Sequence, residues 1–293
     1  MKIGIFGNVK KLTREKIEEI VAYVNEYGYE TVQFSNPMEI DGVDVVIVLG
    51  GDGAILHSAV IAAQKNIKII GINYGNLGFL TEYEKDEREQ IKALLQSVER
   101  GDCPILKRSV LQCEIAGKVF YALNEVSLQR DYHSFSEKAT QILKVNVATH
   151  SGSTTSAGDG ILICTPTGST AYSLSAGGAI LTPEVPVFMM TPICAFSMRA
   201  RPIVFSENEE FEISIEQGKA VLLADGLAVA KLGAQAQIKV KKASFTADFP
   251  IRNHSTFLEK YVIKSSLKIW GKRRRKHYVT NGTARENFRD HFT

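Results

Sequence analysis

VDVVIVLGGDGAILH, residues 43–57, sets the fold of the first third of the chain. Val43 to Leu49 form a short apolar run rich in β-branched residues, which is typical of a strand covered on both faces. Gly50 and Gly51 follow without Cβ atoms, so a ligand can lie directly against the backbone there. Together with the apolar residues that follow at helical spacing, the stretch predicts a strand, a turn and a helix. Those residues are Ala54, Ile55, Leu56, Ala59, Val60, Ala62 and Ala63.

The acid in this turn, Asp52, lies between Gly51 and Gly53 at the predicted start of the helix. In an open α/β sheet, ligands gather at the carboxyl ends of the strands, where helix N-termini offer free N–H groups to phosphate. A carboxylate at such a place repels phosphate unless it binds a cation or takes a proton from a substrate hydroxyl. Asp52 is therefore a candidate catalytic residue, and the alternative is that it only caps the helix.

Strand and helix alternate on both sides of this unit. The alternation argues for an α/β domain over residues 1–100, with a doubly wound, Rossmann-like parallel sheet. The further strands are expected at Lys2–Phe6, Tyr29–Phe34 and Ile67–Ile72, and the helices begin near Thr13, after Gly53 and near Asp86.

The sequence pattern changes over residues 101–267. Short β-prone runs are joined there by turn residues, and one helical segment is expected near Ser169. We predict a β-rich second domain here, a sandwich, and the cleft where it meets the first domain is a common kind of ligand site. Residues 268–293 contain the basic run Lys272–Lys276 and few apolar residues, which predicts a disordered tail.

The composition excludes several classes of protein. The chain has 293 residues, 44% hydrophobic, with a net charge of +3. No apolar run approaches the roughly 20 residues of a membrane helix, and the start of the chain lacks a signal peptide's pattern. The four cysteines are scattered, without a C-x-x-C pair. We therefore expect a cytoplasmic protein that binds neither membrane nor nucleic acid.

A second polar cluster is TPTGSTAYSLSAGG, residues 165–178. It crowds hydroxyl groups around Gly168 directly after the predicted strand Ile161–Cys164. Such a surface suits the ribose, base edge and phosphates of a nucleotide, and Tyr172 adds an aromatic face. The alternative is an ordinary capped turn.

Asn124 and Glu125 stand side by side within a strand-rich region. Asparagine offers a donor and an acceptor that match an adenine edge, and glutamate can accept from ribose hydroxyls. The alternative for this pair is a β-turn. Asp159 and Asp225 each adjoin glycine, and each alone is typical of a turn aspartate.

Two features should lie near Asp52. Residues 73–80, NYGNLGFL, follow the fourth strand and should border the same cleft. His57, on the helix after Gly53, could approach a phosphate, although a packed or solvated histidine is the alternative. The sequence contains no P-loop, no G-x-G-x-x-G after the first strand, no G-x-S-x-G and no H-E-x-x-H.

These residues together resemble the NAD kinase family, bacterial type, whose members make NADP with ATP. The resemblance rests on G-G-D-G at 50–53, on Asn124-Glu125 and on the TPTGSTAYSLSAGG block, and it runs from Met1 to about Leu267. G-G-D-G alone also occurs in diacylglycerol-type lipid kinases and phosphofructokinases, whereas the T-P-T-G-S-T-A-Y block is specific.

The resemblance implies roles for individual residues. Asp52 would accept the proton of the 2′-hydroxyl of the adenosine ribose, and Gly50, Gly51 and Gly53 would let the backbone approach phosphates. Asn124 and Glu125 would hold the adenine edge and a ribose of NAD. The other implied or candidate binding residues are His57, Phe79, Asp159, Thr167, Ser169, Thr170, Ala171, Tyr172, Ser175 and Asp225.

The resemblance also implies ATP and NAD as substrates and a divalent cation, Mg²⁺ or Mn²⁺, carried by the ATP phosphates with no protein ligand assigned. Polyphosphate in place of ATP stays open. Family members form homodimers or homotetramers, with the NAD site shared between subunits. Many relatives have Arg where this chain has Ala157, which leaves one phosphate or subunit contact open. Two alternatives remain: a lipid or sugar kinase that shares the G-G-D-G loop, and a non-catalytic dinucleotide sensor.

Overall fold

The computed structural model describes residues 1–7, 12–75, 78–132, 142–252 and 257–262. Its first part is a five-stranded parallel sheet with strand order β2-β1-β3-β4-β5. The strands are β1 Lys2–Gly7, β2 Glu30–Phe34, β3 Val45–Gly50, β4 Lys68–Asn73 and β5 Tyr83–Glu84, and the helices are α1 Arg14–Glu26, α2 Asp52–Gln64 and α3 Arg88–Arg100.

Strand β3 is buried on both faces, as its apolar run predicts. Val45, Ile47 and Leu49 pack in one hydrophobic cluster with α1 and α3. Val46 and Val48 point the other way and pack with α2. Helices therefore cover both faces, and the predicted doubly wound parallel sheet is confirmed.

The second part consists of two six-stranded antiparallel sheets, ordered β10-β9-β14-β17-β6-β7 and β13-β12-β11-β8-β15-β16. Alternate residues of both sheets enter one shared core, which includes Val147 and Phe211 from the first sheet and Ile163 and Phe188 from the second. The predicted β-rich sandwich is confirmed. Its strands are β6 Ile105–Ile115, β7 Lys118–Ala122, β8 Glu125–Arg130, β9 Leu143–Thr149, β10 Gly152–Gly158, β11 Gly160–Cys164, β12 Val187–Ile193, β13 Ile203–Ser206, β14 Phe211–Gln217, β15 Ala220–Ala224, β16 Leu227–Leu232 and β17 Gln237–Pro250.

Strand β17 joins the sandwich to the parallel sheet. Its second half carries Ala243, Ala247 and Phe249 into the same hydrophobic cluster as Ile55 and Ala59 of α2. This shared core fixes the N-terminus of α2 relative to the sandwich. A helical turn at 257–262 then lies against the parallel sheet. The expected tail, 268–293, falls outside the described residues.

The helical segment expected near Ser169 is short. It consists of a 3₁₀ turn, Thr167–Thr170, followed by α4, Tyr172–Ser175. In the part of the chain that the structure describes, no helix is both long and apolar enough to cross a membrane.

Candidate active site

Asp52 is the first residue of α2, immediately beyond the carboxyl end of β3. The N-cap position belongs to Gly51, so Asp52 does not cap this helix. A Cβ atom placed on Gly51 or Gly53 would meet no described atom within 4 Å. As far as the described residues go, the space beside this glycine turn is open, as the approach of a phosphate requires.

The Asp52 carboxylate is oriented by the loop that follows β4. Its Oδ2 atom accepts a hydrogen bond from the Phe79 N–H and its Oδ1 atom accepts one from the Leu80 N–H, each at 2.9 Å. Gly78 lies so close that a Cβ atom there would be 2.0 Å from Asp52 Oδ1. The expectation that residues 73–80 border Asp52 is met by residues 78–80, while residues 76 and 77 lie outside the described chain.

Asp225 lies in the tight turn between β15 and β16, with a positive φ of 48°. Its carboxylate accepts hydrogen bonds from three successive backbone N–H groups, those of Leu123, Asn124 and Glu125. It is therefore a turn aspartate that also fixes the Asn124-Glu125 pair. Glu125 is the first residue of β8, and Asn124 lies in the bend directly before that strand.

Glu125 is a buried carboxyl with an incomplete set of partners. Its side chain is 6% exposed, and its Oε2 atom has no hydrogen-bond partner among the described residues. Burial and the neighbouring charge of Asp225 raise the pKa of Glu125 to about 7, although the Tyr172 backbone N–H favours the charged form. Burial also raises the pKa of Asp225, against the effect of its three N–H donors and of His57.

The TPTGSTAYSLSAGG block lies directly on the Asn124-Glu125 pair. The Thr165 N–H donates to the Asn124 carbonyl at 2.9 Å, and the Thr165 hydroxyl donates to the Leu123 carbonyl at 2.6 Å. A Cβ atom on Gly168 would lie 2.1 Å from the Asn124 carbonyl oxygen. Only glycine permits this approach, so the two motifs form one site.

Several hydroxyls of the block are used inside the protein. Ser169 is fully buried, donates to the Pro166 carbonyl and accepts from the Leu181 N–H. Thr167 is buried as well, and its carbonyl accepts from the Thr170 hydroxyl. Thr170, Ala171 and Tyr172 are half-buried and Ser175 is exposed.

Asp159 lies between β10 and β11 at one end of the site. The Arg130 Nη2 atom is 3.6 Å from its carboxylate, and the Arg130 guanidinium stacks on the exposed Tyr132 ring. The pKa of Tyr172 is raised by burial and also by the charges of Cys194, Asp159 and Glu125. Tyr172 therefore stands within electrostatic reach of two of the predicted acids.

His57 and Phe79 reach the site from the parallel sheet. His57 is exposed on α2, and its charge acts on Asp225 of the sandwich. The Phe79 ring packs against Phe257, with ring centroids 5.8 Å apart. The predicted residues thus come from both parts of the molecule, and His57 acts electrostatically on Asp225 across the junction between these parts.

Sequence reasoning missed Arg108 of β6, which is also at this junction. Its Nη1 atom donates to the Thr167 hydroxyl at 3.0 Å, and its guanidinium lies over the Phe249 ring. Burial lowers the pKa of Arg108 to about 10. The signal was present, because period-two alternation places Arg108 on the same face of β6 as buried Val110.

The described residues contain no group of three His, Cys, Asp or Glu side chains placed to hold a metal ion.

Comparison with known proteins identifies relatives for both parts of the chain. The family model described as ATP-NAD kinase N-terminal domain matches residues 6–103, and the model described as ATP-NAD kinase C-terminal domain matches residues 123–251. An NAD kinase of Chlorobium phaeobacteroides is 33% identical over 292 residues, covering 93% of this chain and 98% of that protein. An NAD kinase of Petrotoga mobilis is 31% identical over 268 residues, covering 88% and 95%.

Two solved structures have a similar fold. Yeast NADH kinase complexed with NADH has a TM-score of 0.76 at 23% identity, covering 94% of this chain and 89% of that one. An NAD kinase from Archaeoglobus fulgidus in complex with ATP has a TM-score of 0.72 at 24% identity, covering 91% and 99%. The two family models cover most of the chain, and the relatives align along almost its whole length. The chain belongs to the NAD kinase family.

Proposed function

We propose that this protein is an NAD kinase that transfers the γ-phosphoryl group of ATP to the 2′-hydroxyl of the adenosine ribose of NAD. Membership of the family supports the reaction. The observation that carries the proposal is the Asp52 carboxylate, oriented by two backbone N–H groups beside an open glycine turn. A lipid or sugar kinase is not favoured, because both halves of the chain match NAD kinase models.

Asp52 is the proposed general base. A general base must first reach the proton that it removes, and its geometry matters before its pKa. The bonds from Phe79 and Leu80 fix the plane of the carboxylate, and a carboxylate offers about four lone-pair positions to donors. Asp52 would accept the hydroxyl proton as the ribose oxygen attacks the γ-phosphorus and ADP leaves.

The sandwich side of the site would bind the adenosine part of NAD. Asn124 would read the adenine edge, and the unpartnered Oε2 atom of Glu125 would accept from a ribose hydroxyl. Tyr172 would supply an aromatic face, and Asp159 would face the nicotinamide half. Further contacts are proposed for His57, Phe79, Thr167, Ser169, Thr170, Ala171, Ser175 and Asp225, with the last also holding the backbone of the pair.

ATP would approach the turn formed by Gly50, Gly51 and Gly53. A bound Mg²⁺ or Mn²⁺ would neutralise charge on the transferred phosphoryl group. Since no protein cage of three ligands is found in the described residues, phosphate oxygens would supply most of its ligands. The residues present fit that arrangement. Polyphosphate is the alternative donor to compare with ATP.

We further propose that the protein is cytoplasmic and forms homodimers or homotetramers. Support for self-association comes from apolar side chains exposed on and near the edge strand β13, namely Phe196, Met198, Ile203 and Val204. Light scattering coupled to gel filtration measures the subunit count directly. Replacing both Phe196 and Met198 with Ser should lower that count if this surface is the interface.

The reaction is tested with purified protein, Mg²⁺-ATP and NAD, and an NADP-specific dehydrogenase reports the product. NADP formation that depends on ATP supports the proposal. Tight NAD binding without NADP formation from either ATP or polyphosphate would instead identify a dinucleotide sensor. A parallel reaction with diacylglycerol and with fructose 6-phosphate should yield no product.

A further inference from the structure

We propose that Arg252 and the helical turn 257–262 form a clasp that positions the catalytic carboxylate of Asp52, with Lys260 as its central positioning residue. The clasp is defined by Arg252, Phe257 and Lys260. It follows the last residue matched by the C-terminal family model, which ends at 251. The inference rests on the proposed role of Asp52 as general base. It adds which residues hold that base in position.

The clasp grips the loop that orients Asp52. Lys260 Nζ donates to the Thr81 carbonyl at 2.7 Å and lies 2.9 Å from a Glu82 carboxylate oxygen. Thr81 directly follows Leu80, whose N–H binds Asp52. Lys260 thus holds a backbone group one residue from a direct ligand of the carboxylate.

Arg252 and Phe257 make further contacts with the same loop and with the residues that follow it. Arg252 Nη2 donates to the Glu82 carbonyl at 3.0 Å and pairs with the Glu87 carboxylate. Its guanidinium also lies over the Tyr83 ring, 4.5 Å from the centroid. The Phe257 ring packs against Phe79, whose N–H is the second ligand of Asp52.

The Lys260–Glu82 ion pair is largely buried, so its loss should affect the position of the loop. The two side chains are 13% and 11% exposed, so solvent cannot readily replace either partner. Without the Lys260 ammonium, the Thr81 carbonyl and one Glu82 oxygen lose a charged donor. The loop would then move toward water, carrying the Phe79 and Leu80 N–H groups away from Asp52.

A displaced base lowers the rate more than it lowers substrate affinity. Misplacement of a reacting group by about 1 Å can cost on the order of 10²-fold in rate. Among the proposed NAD contacts, Phe79 lies on this loop, whereas Asn124 and Glu125 lie on the sandwich and do not depend on it. The clasp therefore predicts a larger loss in kcat than in the affinity for NAD.

The test compares full-length Lys260→Met with Lys242→Met as a matched control. Lys242 forms a comparable ion pair with Glu207 on the sandwich, at 2.5 Å. Lys260→Met should lower kcat at least about 10-fold and leave NAD binding by calorimetry within about 3-fold, while Lys242→Met should change neither. Lys260→Arg, which keeps a donor and a positive charge, should recover most of the rate.

Two further measurements distinguish a role of Lys260 in positioning Asp52 from a general loss of folded structure. In an Asp52→Asn background, Lys260→Met should lower the residual rate by less than about 2-fold, because effects that act through one group do not add. Hydrogen exchange should be faster in Lys260→Met at the peptide that carries the Phe79 and Leu80 N–H groups. It should be unchanged there in Lys242→Met.

Unchanged exchange at Phe79 and Leu80 in Lys260→Met would overturn the clasp, whatever reaction the protein catalyses. Faster exchange with an unchanged kcat would overturn its positioning role. An equal rate loss in the wild-type and Asp52→Asn backgrounds would do the same. Failure of wild-type protein to make NADP, with exchange responding as expected, would refute the proposed function and leave the clasp standing as a structural device.

Discussion

Gly168→Ala tests whether the Asn124-Glu125 pair and the 165–178 block, which we propose to bind NAD, must touch. The added Cβ atom would lie 2.1 Å from the Asn124 carbonyl oxygen and 2.5 Å from its carbonyl carbon. The shortest comfortable carbon–oxygen approach is about 3.3 Å, so one backbone segment must retreat by ~1 Å. Both obstacles are main-chain atoms, and neither can rotate away.

The cost of Gly168→Ala follows from two terms. Forcing a methyl group into packed backbone costs about 1–3 kcal/mol. Separating the segments also breaks the 2.9 Å hydrogen bond from the Thr165 N–H to the Asn124 carbonyl, worth about 1 kcal/mol. The free energy of unfolding should therefore fall by about 2–4 kcal/mol, which corresponds to a fall in Tm of roughly 3–7 °C.

The assay is thermal unfolding of wild type, Gly168→Ala and the control Gly233→Ala, combined with NAD calorimetry. A Cβ atom on Gly233 meets no described atom within 4 Å, so the control should stay within about 0.5 kcal/mol of wild type. NAD affinity of Gly168→Ala should fall on the order of 10-fold or more as Asn124 and Glu125 shift. A variant that melts with wild type and binds NAD equally well would refute the contact between the motifs.

Two further predictions concern the buried acids. The pKa of Glu125 is about 7 in the folded protein, against an ordinary 4.5. The folded state therefore binds this proton more tightly than the unfolded state does. The stability that the protonated Glu125 contributes is lost as pH rises through 7. Urea unfolding should show a loss of about 2 kcal/mol between pH 5.5 and 8; Glu125→Gln should remove this loss, and an unchanged pH profile would count against the assignment. Asp225→Asn places an amide N–H₂ toward one of three backbone donors, so its unfolding free energy should fall by about 1–3 kcal/mol. It should also lower the pKa of Glu125 by removing a like charge, and a variant as stable as wild type with the same pH profile would contradict that account.

The part of the fold that sequence predicted best depends on local pattern. Val45 to Leu49 are apolar on both faces because both faces are covered, and the following glycines mark the turn to α2. Asp52 was identified by its place after such a strand. These inferences need only the geometry of one strand and one helix.

The sequence pattern did not predict strands that depend on contacts with distant parts of the chain. β10 has the polar sequence GSTTSAG and forms an edge of its sheet, so no alternation reveals it. β12, VFMMTPI, contains a proline that argues against a strand. The local β-prone run Gln237–Val240 predicts only the first part of β17, whereas the strand continues to Pro250, because its second half packs on α2.

The sequence also did not predict the direction in which individual side chains of the site point. The hydroxyls of Thr167 and Ser169 were expected to face a ligand, and this structure pairs them with Arg108 and with backbone groups. Residue type and spacing give the chemistry of a block, but the direction of each hydroxyl depends on partners from β6 and the segment after α4. Arg108 was overlooked although the alternation of β6 places it on the same face as buried Val110.

The most direct test of the account is Asp52→Asn, assayed for NADP formation with Mg²⁺-ATP and for NAD binding by calorimetry. Asparagine keeps the size of the side chain but cannot take the ribose proton, and its amide N–H₂ faces one of the two backbone N–H groups that bind Asp52. The account predicts that turnover falls on the order of 10²-fold or more, while the Kd of NAD stays within a few-fold of wild type. Near-normal turnover by Asp52→Asn would contradict the assignment of Asp52 as the base.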